Sequence, residues 1–414
     1  MRLAFVTNLY PPYIVGGNEM LCDEVITALR ARGHEVAVVC GRGRDLPSRP
    51  DVHGVLPLDL DRKAETFLGG RVPGTFEAFR WHVFDPVAYR ATRQALRRVN
   101  PEVVVVWNLY MASLGPLAAA RRHGRPVVTH VCDKWLHLSL ADAGPVLNLA
   151  PSAKRGVLLA QRLARPLLSR ALLPLRVVAI SEFMRRFYLS AGFRAEDVQT
   201  IHLGVPLPDF AYRERPPRSR GAPLRLLFVG GLWEGKGPQT AVRALGRLKR
   251  EGLRALRLDV CGGGTPAFVE WLRGVIAEED VAEEVTLHGF VDRKVVRDFC
   301  QSHDLLVFPS QWDEPFAAVP VEAMSTGMAV VATTAGGTPE AITDGETGLL
   351  VPPGDVAALA AAVRRLAEDD ALRLRLGATA ARAARERFSF DRYIDRLEEC
   401  YRLLLPGRRH DRRA

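Results

Sequence analysis

The sequence predicts an α/β protein built as two doubly wound parallel-sheet domains. Three observations carry this. Short runs rich in Val, Ile and Leu recur with little alternation, as in strands buried on both faces. Amphipathic stretches separate them, so strand and helix alternate and the strands run parallel. The alternation breaks once, over residues 206–223, where five prolines and four arginines stand without periodicity, and then restarts. The 414 residues leave room for two or three domains. The expected division is 1–205 for an N-terminal domain, 206–223 for a linker, 224–388 for a second domain and 389–405 for a C-terminal helix.

In the first half, strands are expected at 3–7, 35–40, 103–107, 126–131, 177–180 and 199–202, with helices such as 18–32 and 86–99 between them. The second half repeats the pattern, with strands at 224–229, 256–261, 285–287, 305–308, 329–332 and 348–351. Its helices are expected at 239–250, 266–279, 293–301, 320–326 and 356–367. Two helical stretches, 370–387 and 390–405, close the chain. The second carries Tyr393, Ile394, Leu397, Tyr401 and Leu404 at helical spacing and must bury that stripe; the first domain is a candidate to receive it. The basic tail 407–414 is expected to fray.

Hydrophobic residues at 48% and charged residues at 25% exclude a disordered chain, a collagen-like fibre and a disulfide scaffold. No apolar run reaches the ~18 residues of a membrane-spanning helix. The start, Met-Arg-Leu-Ala-Phe-Val, enters a strand pattern directly with no signal-peptide regions. A cytoplasmic location follows as the expectation, with peripheral attachment to the inner membrane face left open. The six cysteines stand singly, without zinc or redox spacing, and read as reduced structural thiols.

The net charge of +10 is unevenly held. Residues 1–205 carry 27 Lys+Arg against 17 Asp+Glu, whereas residues 206–414 carry 30 against 30. Only six of the 57 basic residues are lysine, so arginine-rich codon usage and solvated faces account for part of the excess. The asymmetry itself suggests an anionic partner for the first half, a membrane surface or a phosphorylated ligand; a nucleic acid is not among the expected partners.

Three segments carry chemistry. After the first strand, Gly16 and Gly17 open a helix, whose free N–H groups and dipole suit a phosphate. Their spacing is not that of a nicotinamide-dinucleotide loop, and a glycine pair before a helix is also an ordinary turn. The run Gly230-Gly-Leu-Trp-Glu-Gly-Lys-Gly237 matches a phosphate-binding loop for seven positions. It fails at the eighth, where a hydroxyl residue should follow Lys236 to hold magnesium. What remains is a glycine-rich loop with one lysine suited to a diphosphate, or a solvated lysine on a tight turn. In the third, residues 309–324, Glu314 sits before Pro315 in a loop, Pro320 suits the first turn of a helix, and Glu322 is expected in that turn. The two acids suit sugar hydroxyls, as would the paired carboxylates of a glycosidase. Glu322 could equally just favour the helix dipole.

The spacing from Glu314 to Glu322 resembles the E-x7-E motif of retaining GT-B glycosyltransferases, glycosyltransferase family 4. The runs Phe228-Val-Gly-Gly-Leu…Lys-Gly237, Val260-Cys-Gly-Gly-Gly264, Leu287-His-Gly-Phe290, Gly336-Gly-Thr-Pro-Glu340 and Asp344-Gly-Glu-Thr-Gly348 follow in the family's order. The resemblance is strong over 224–355 and looser before it. It implies the GT-B fold, two Rossmann-like domains facing a deep cleft, and transfer of a sugar from a nucleoside diphosphate sugar with retention of configuration. It implies no catalytic metal and no cofactor beyond that donor. By the same resemblance, Lys236 and the loop at Gly230 hold the donor diphosphate, with Gly16 and Gly17 approaching it across the cleft. Glu322 takes the ribose hydroxyls. Glu314 lies by the transferred sugar, with the backbone of Phe316 and Ala317 at its hydroxyls and phosphate. His288 and Gly289 lie near the base, and His130 near the transferred sugar. Three departures stand out: Gly231 where the family has an arginine, Ala317 where it has a glycine, and Val131 where an aspartate commonly follows the histidine, Asp133 coming later.

Two other readings share the fold: a nucleotide-sugar epimerase, which needs no acceptor, and an inactive scaffold that binds nucleotide sugar. The acceptor is expected on the first domain, at 66–84 and 133–149, where Arg71, Arg80, Trp81, His82, Trp135 and His137 suit a glycan, a lipid-linked sugar or a small molecule. Residues 152–176 mix six basic residues with leucines and valine at partly helical spacing, which suits an anionic membrane surface. Alternatively, the leucines pack on the sheet and Pro166 and Pro174 interrupt the helix.

Overall fold

The computed structural model describes residues 1–60, 75–140, 151–219 and 221–405. The expected contacts at 66–74 and 141–149, Arg71 among them, and the tail beyond 405 lie outside these residues. The chain divides into two compact units. Of the described residues, the first holds those within 1–180, 184–201 and 394–405, and the second those within 181–183 and 202–393.

In the first unit, seven parallel strands alternate with helices: β1 (Arg2–Thr7), α1 (Gly17–Ala31), β2 (Glu35–Arg42), β3 (Val52–Asp59), α2 (Thr75–His82), α3 (Pro86–Val99), β4 (Val103–Asn108), α4 (Gly115–Arg122), β5 (Val127–Val131), α5 (Trp135–Leu140), α6 (Pro151–Leu172), β6 (Arg176–Ala179), α7 (Glu182–Ser190) and β7 (Val198–Thr200). The sheet order is β3-β2-β1-β4-β5-β6-β7. The central strands β1, β4 and β5 are buried along almost their whole length, which is why they read as continuous apolar runs. Strand β3 was not expected from the sequence. It lies at the sheet edge and carries Gly54 and Pro57, which blur a strand signal and are tolerated at an edge.

The second unit repeats the plan with six parallel strands: β8 (Leu224–Val229), α8 (Pro238–Arg250), β9 (Leu256–Cys261), α9 (Pro266–Glu278), β10 (Val285–Gly289), α10 (Arg293–Ser302), β11 (Leu305–Phe308), α11 (Ala318–Ser325), β12 (Ala329–Thr333), α12 (Thr338–Ala341), β13 (Leu349–Val351), α13 (Val356–Glu368), α14 (Asp370–Phe388) and α15 (Phe390–Leu403). The order is β10-β9-β8-β11-β12-β13. Its core runs from Leu226, Phe228, Leu258 and Val260 on the sheet to Leu245, Leu272, Val363 and Leu376 on the helices.

The proline-rich stretch after 205 is pinned to the second unit rather than free. Ser325 Oγ donates to the Phe210 carbonyl at 2.9 Å, Arg215 Nη2 donates to the Cys300 carbonyl at 2.5 Å, and Arg218 Nη2 donates to the Ala367 carbonyl at 2.6 Å. Helix α15 starts in the second unit, but from Ile394 it belongs to the first. Ile394, Leu397 and Tyr401 are buried there. Arg32 Nη1 lies 2.8 Å from Glu398 Oε2 and 2.5 Å from Asp395 Oδ1, and His34 Nε2 pairs with Glu398.

Candidate active site

In both sheets the strand order reverses beside the first strand, between β1 and β4 and between β8 and β11. Loops leaving the carboxyl ends of the strands at such a switch point form the ligand crevice of doubly wound sheets. In the second unit those loops are the glycine-rich run after β8 and the segment that carries Glu314 after β11.

The two loops are stitched together. The Gln311 and Trp312 N–H groups both donate to the Gly235 carbonyl, at 2.7 and 2.9 Å. Gly237 has φ +74, and a Cβ there would lie 2.1 Å from the Pro309 carbonyl oxygen. This close approach explains why glycine stands where a phosphate-binding loop would carry its hydroxyl residue. Lys236 ends a short 3-10 turn, Glu234–Lys236, just before α8. Its Nζ reaches Glu314 Oε1 at 2.7 Å and Oε2 at 2.9 Å. Glu314 is buried and also accepts from Ser310 Oγ at 2.7 Å. Its backbone is clamped from the other side: the Gly337 N–H donates to the Glu314 carbonyl at 2.7 Å, and a Cβ on Gly336 would sit 2.3 Å from the Glu314 nitrogen.

Glu322 is buried and pairs with Arg293 Nη2 at 2.6 Å. From Pro320 alone, Glu322 is expected in the first helical turn. Helix α11 begins at Ala318, so Pro320 still falls in the first turn but Glu322 is the fifth residue, beyond it. The helix dipole is therefore a weak account of this acid, because its effect fades within a turn. Ala317 caps α11, and Phe316 is buried with its ring 5.5 Å from that of Phe388.

The turns after β8, β9 and β10 meet through backbone. The Gly230 N–H donates to the Cys261 carbonyl at 3.0 Å, and the Gly262 N–H donates to the Gly289 carbonyl at 2.8 Å. A Cβ on Gly262 would meet the Gly230 oxygen at 1.8 Å. His288 Nε2 lies 2.6 Å from Asp259 Oδ1, and His303 Nε2 lies 2.8 Å from Asp259 Oδ2. Burial alone would raise the Asp259 pKa, but hydrogen bonds from His288 and His303 outweigh it and hold the carboxyl below its ordinary range. A carboxylate bridging two imidazoles fixes the ring of His288.

In the first unit, Gly16 caps α1 in extended conformation, and neither Gly16 nor Gly17 has an atom within 4 Å of where a Cβ would be. Glu19 Oε2 accepts from the Gly16 N–H at 2.8 Å and from the Val15 N–H at 3.2 Å. Asn18 Oδ1 accepts from Trp107 Nε1 at 2.8 Å, and the Trp107 ring stacks on His130 with centroids 4.1 Å apart. His130 is fully buried, and burial drives its pKa down to about 3, so the imidazole is neutral. Asp133 Oδ1 accepts from the N–H of Trp135, the first residue of α5, at 2.7 Å; burial raises its pKa to about 6, against the bond from Trp135.

Several groups escaped the sequence reading. Arg293 and Asp259 lack a motif of their own and are found only through their partners. Trp233 and Trp312 are half-exposed indoles beside Lys236 and Glu314, with ring centroids 5.6 Å apart. Glu340, which stands in the expected Gly-Gly-Thr-Pro-Glu run, accepts from the N–H groups of Glu182 and Phe183 at 2.7 and 2.6 Å and pairs with His202 at 2.9 Å.

Residues 213–383 match the family model of group 1 glycosyl transferases, and residues 15–208 match that of glycosyltransferase family 4. The chain belongs to the family 4, group 1 glycosyltransferases. It is a glycosyltransferase of the GT-B fold. It is 28% identical over 400 residues to glycogen synthase of Mycobacterium tuberculosis, covering 94% of this chain and 91% of that one. It is 36% identical over 197 residues to D-inositol 3-phosphate glycosyltransferase of Corynebacterium efficiens, covering 45% of each. Among solved structures, sucrose-phosphate synthase from Thermosynechococcus elongatus superposes with a TM-score of 0.74 at 20% identity, over 97% of this chain and 98% of that one. Anabaena HepE in complex with UDP-glucose superposes with a TM-score of 0.66 at 18% identity, over 96% and 98%. At these identities the superpositions establish the fold.

Proposed function

We propose that this glycosyltransferase moves a sugar from a nucleoside diphosphate sugar to an acceptor, with retention of configuration. The observation that supports this best is the pairing of both motif acids with cations, Glu314 with Lys236 and Glu322 with Arg293, at the switch point of one sheet. The bound UDP-glucose of HepE supports the donor class.

In this reading, Lys236 meets the charge that develops on the departing diphosphate. An ammonium has three donors, and Glu314 occupies two, so one remains for a phosphate oxygen. A preorganised cation of this kind lowers the barrier because it need not reorient as the charge forms. Glu314, held by Lys236, Ser310 and the backbone at Gly337, is rigid enough to orient the transferred sugar. Glu322 takes the ribose hydroxyls, with Arg293 Nη2 holding its carboxylate at 2.6 Å. The turns at Gly230 and Gly289 and the fixed His288 border the nucleotide. His130, fully buried and neutral at working pH, acts in this reading by supporting the stacked Trp107 ring rather than as an acid. Gly16 and Gly17 leave open space for an anionic group. The acceptor, a glycan, a lipid-linked sugar or a small molecule, is read by the first unit.

The test is a panel of nucleotide sugars with glycan, lipid-linked and small-molecule acceptors, followed by mass spectrometry and NMR of the anomeric centre. A retained configuration in a new glycoside is the expected result. Isomerised free donor without acceptor would assign an epimerase, and nucleotide binding without turnover on any acceptor would assign a scaffold.

A further inference from the structure

Helix α6 (Pro151–Leu172) runs unbroken through Pro166, and Pro174 lies past its end, so the prolines do not interrupt it as the sequence suggested. Its inner side is fully occupied. Val157 and Leu172 are buried, Leu158, Ala164 and Leu168 pack, as do Phe79 and Phe84, against the buried pair Val83 and Val157, and Gln161 Nε2 donates to the Leu138 and Ser139 carbonyls at 2.6 and 2.9 Å. These contacts lock the helix about its axis. The leucines therefore do not all pack on the protein: Leu159, Leu163 and Leu167 are 59%, 70% and 75% exposed. Spaced by four, they form one stripe about 12 Å long. Phe76 on the neighbouring α2 is 75% exposed as well.

We propose that α6 docks on an anionic lipid bilayer, with the three leucines among the acyl chains and its arginines at the phosphate headgroups. The charge of the helix selects this occupant. It carries Lys154, Arg155, Arg162, Arg165 and Arg170 and no acidic residue, and the four arginines are exposed. An apolar stripe flanked by arginines is the pattern of helices lying in the bilayer interface. A second copy of the chain fits poorly, because a symmetric contact would oppose the same cations to one another. The surplus positive charge of residues 1–205 favours the same encounter over the range of a Debye length. Lipid binding is separate from the proposed transfer reaction and is read without it.

The experiment is co-sedimentation of the full chain with vesicles of phosphatidylglycerol and phosphatidylcholine in equal parts, compared with phosphatidylcholine alone, at low and high salt. The protein should bind the anionic vesicles at low salt and be released as salt is added. Changing Leu163→Gln and Leu167→Gln together should weaken binding by about tenfold or more. Changing Arg155→Gln, Arg162→Gln and Arg170→Gln should abolish the preference for phosphatidylglycerol. All these side chains are exposed, so thermal unfolding should match the parent. No sedimentation at low salt, or unchanged binding by both variants, would overturn the proposal. So would a lipid-free dimer that dissociates in the leucine variant, which would assign the stripe to a second copy.

Discussion

Lys236 and Glu314 are in contact while Glu322 pairs with Arg293, and the roles proposed for the three are separable. The Lys236→Ala variant should lower kcat/KM by roughly 10–150-fold, the worth of a charge-assisted bond of ~1.5–3 kcal/mol made in the transition state. An undiminished rate in the folded variant would remove Lys236 from the reaction. Glu322→Gln should mainly weaken binding of the bare nucleoside diphosphate, whereas Glu314→Gln should mainly lower kcat; calorimetry and steady-state kinetics together separate the two. Equal loss of nucleotide affinity in both would contradict the assignment. Gly231 offers a gain-of-function test. A Cβ there would meet only the Trp233 ring, at 3.6 Å, so the position has room for a side chain. Gly231→Arg should therefore tighten nucleoside diphosphate binding by roughly tenfold, through one added charge-assisted bond. The residue types were legible in the sequence because their motifs are local. Their partners were not: Glu314 meets a lysine 78 positions earlier, and Glu322 an arginine 29 positions earlier.

The elements place these residues through glycine contacts more than through side chains. Gly237 shows the constraint most clearly, because its left-handed backbone and the Pro309 carbonyl both exclude a side chain. Gly237→Ala should destabilise the second unit by at least ~2 kcal/mol. Denaturant unfolding should show a lower midpoint with an unchanged slope. Most strands and helices could be read from periodicity, since strands buried on both faces leave long apolar runs. The exceptions have physical reasons. Strand β3 is an edge with Gly54 and Pro57, and α11 starts two residues earlier than Pro320 suggests, because a proline anywhere in the first turn gives up no intrahelical bond.

At the scale of the molecule, α15 ties the chain's end to its beginning through Arg32, His34 and Glu398. Burial would raise the Glu398 pKa, but the bonds from His34 and Arg32 hold it below the ordinary 4.5. A carboxyl depressed in the folded state contributes stability that is complete above 4.5 and lost as the pH falls through its folded value. Glu398→Gln should therefore cost about 1–3 kcal/mol at neutral pH and progressively less below 4.5. Thermal melts of both proteins across that range check this, and a difference that stays constant with pH would contradict it. The tie was anticipated only as an apolar stripe in need of cover.

The sequence alone determined the layered α/β plan, the order of the strands along the chain and the chemistry available: two acids, one lysine and a set of glycine turns. These follow from local rules of periodicity, turn geometry and residue type. The tertiary structure decided which strands are neighbours, and so which loops share an edge. That placement paired Glu322 with Arg293, set Asp259 between His288 and His303, and sank His130 beneath Trp107, where burial keeps it neutral. It also turned Leu159, Leu163 and Leu167 outward. A helical period states that a face exists, but only the packing of Gln161 and Val157 states which face is already taken.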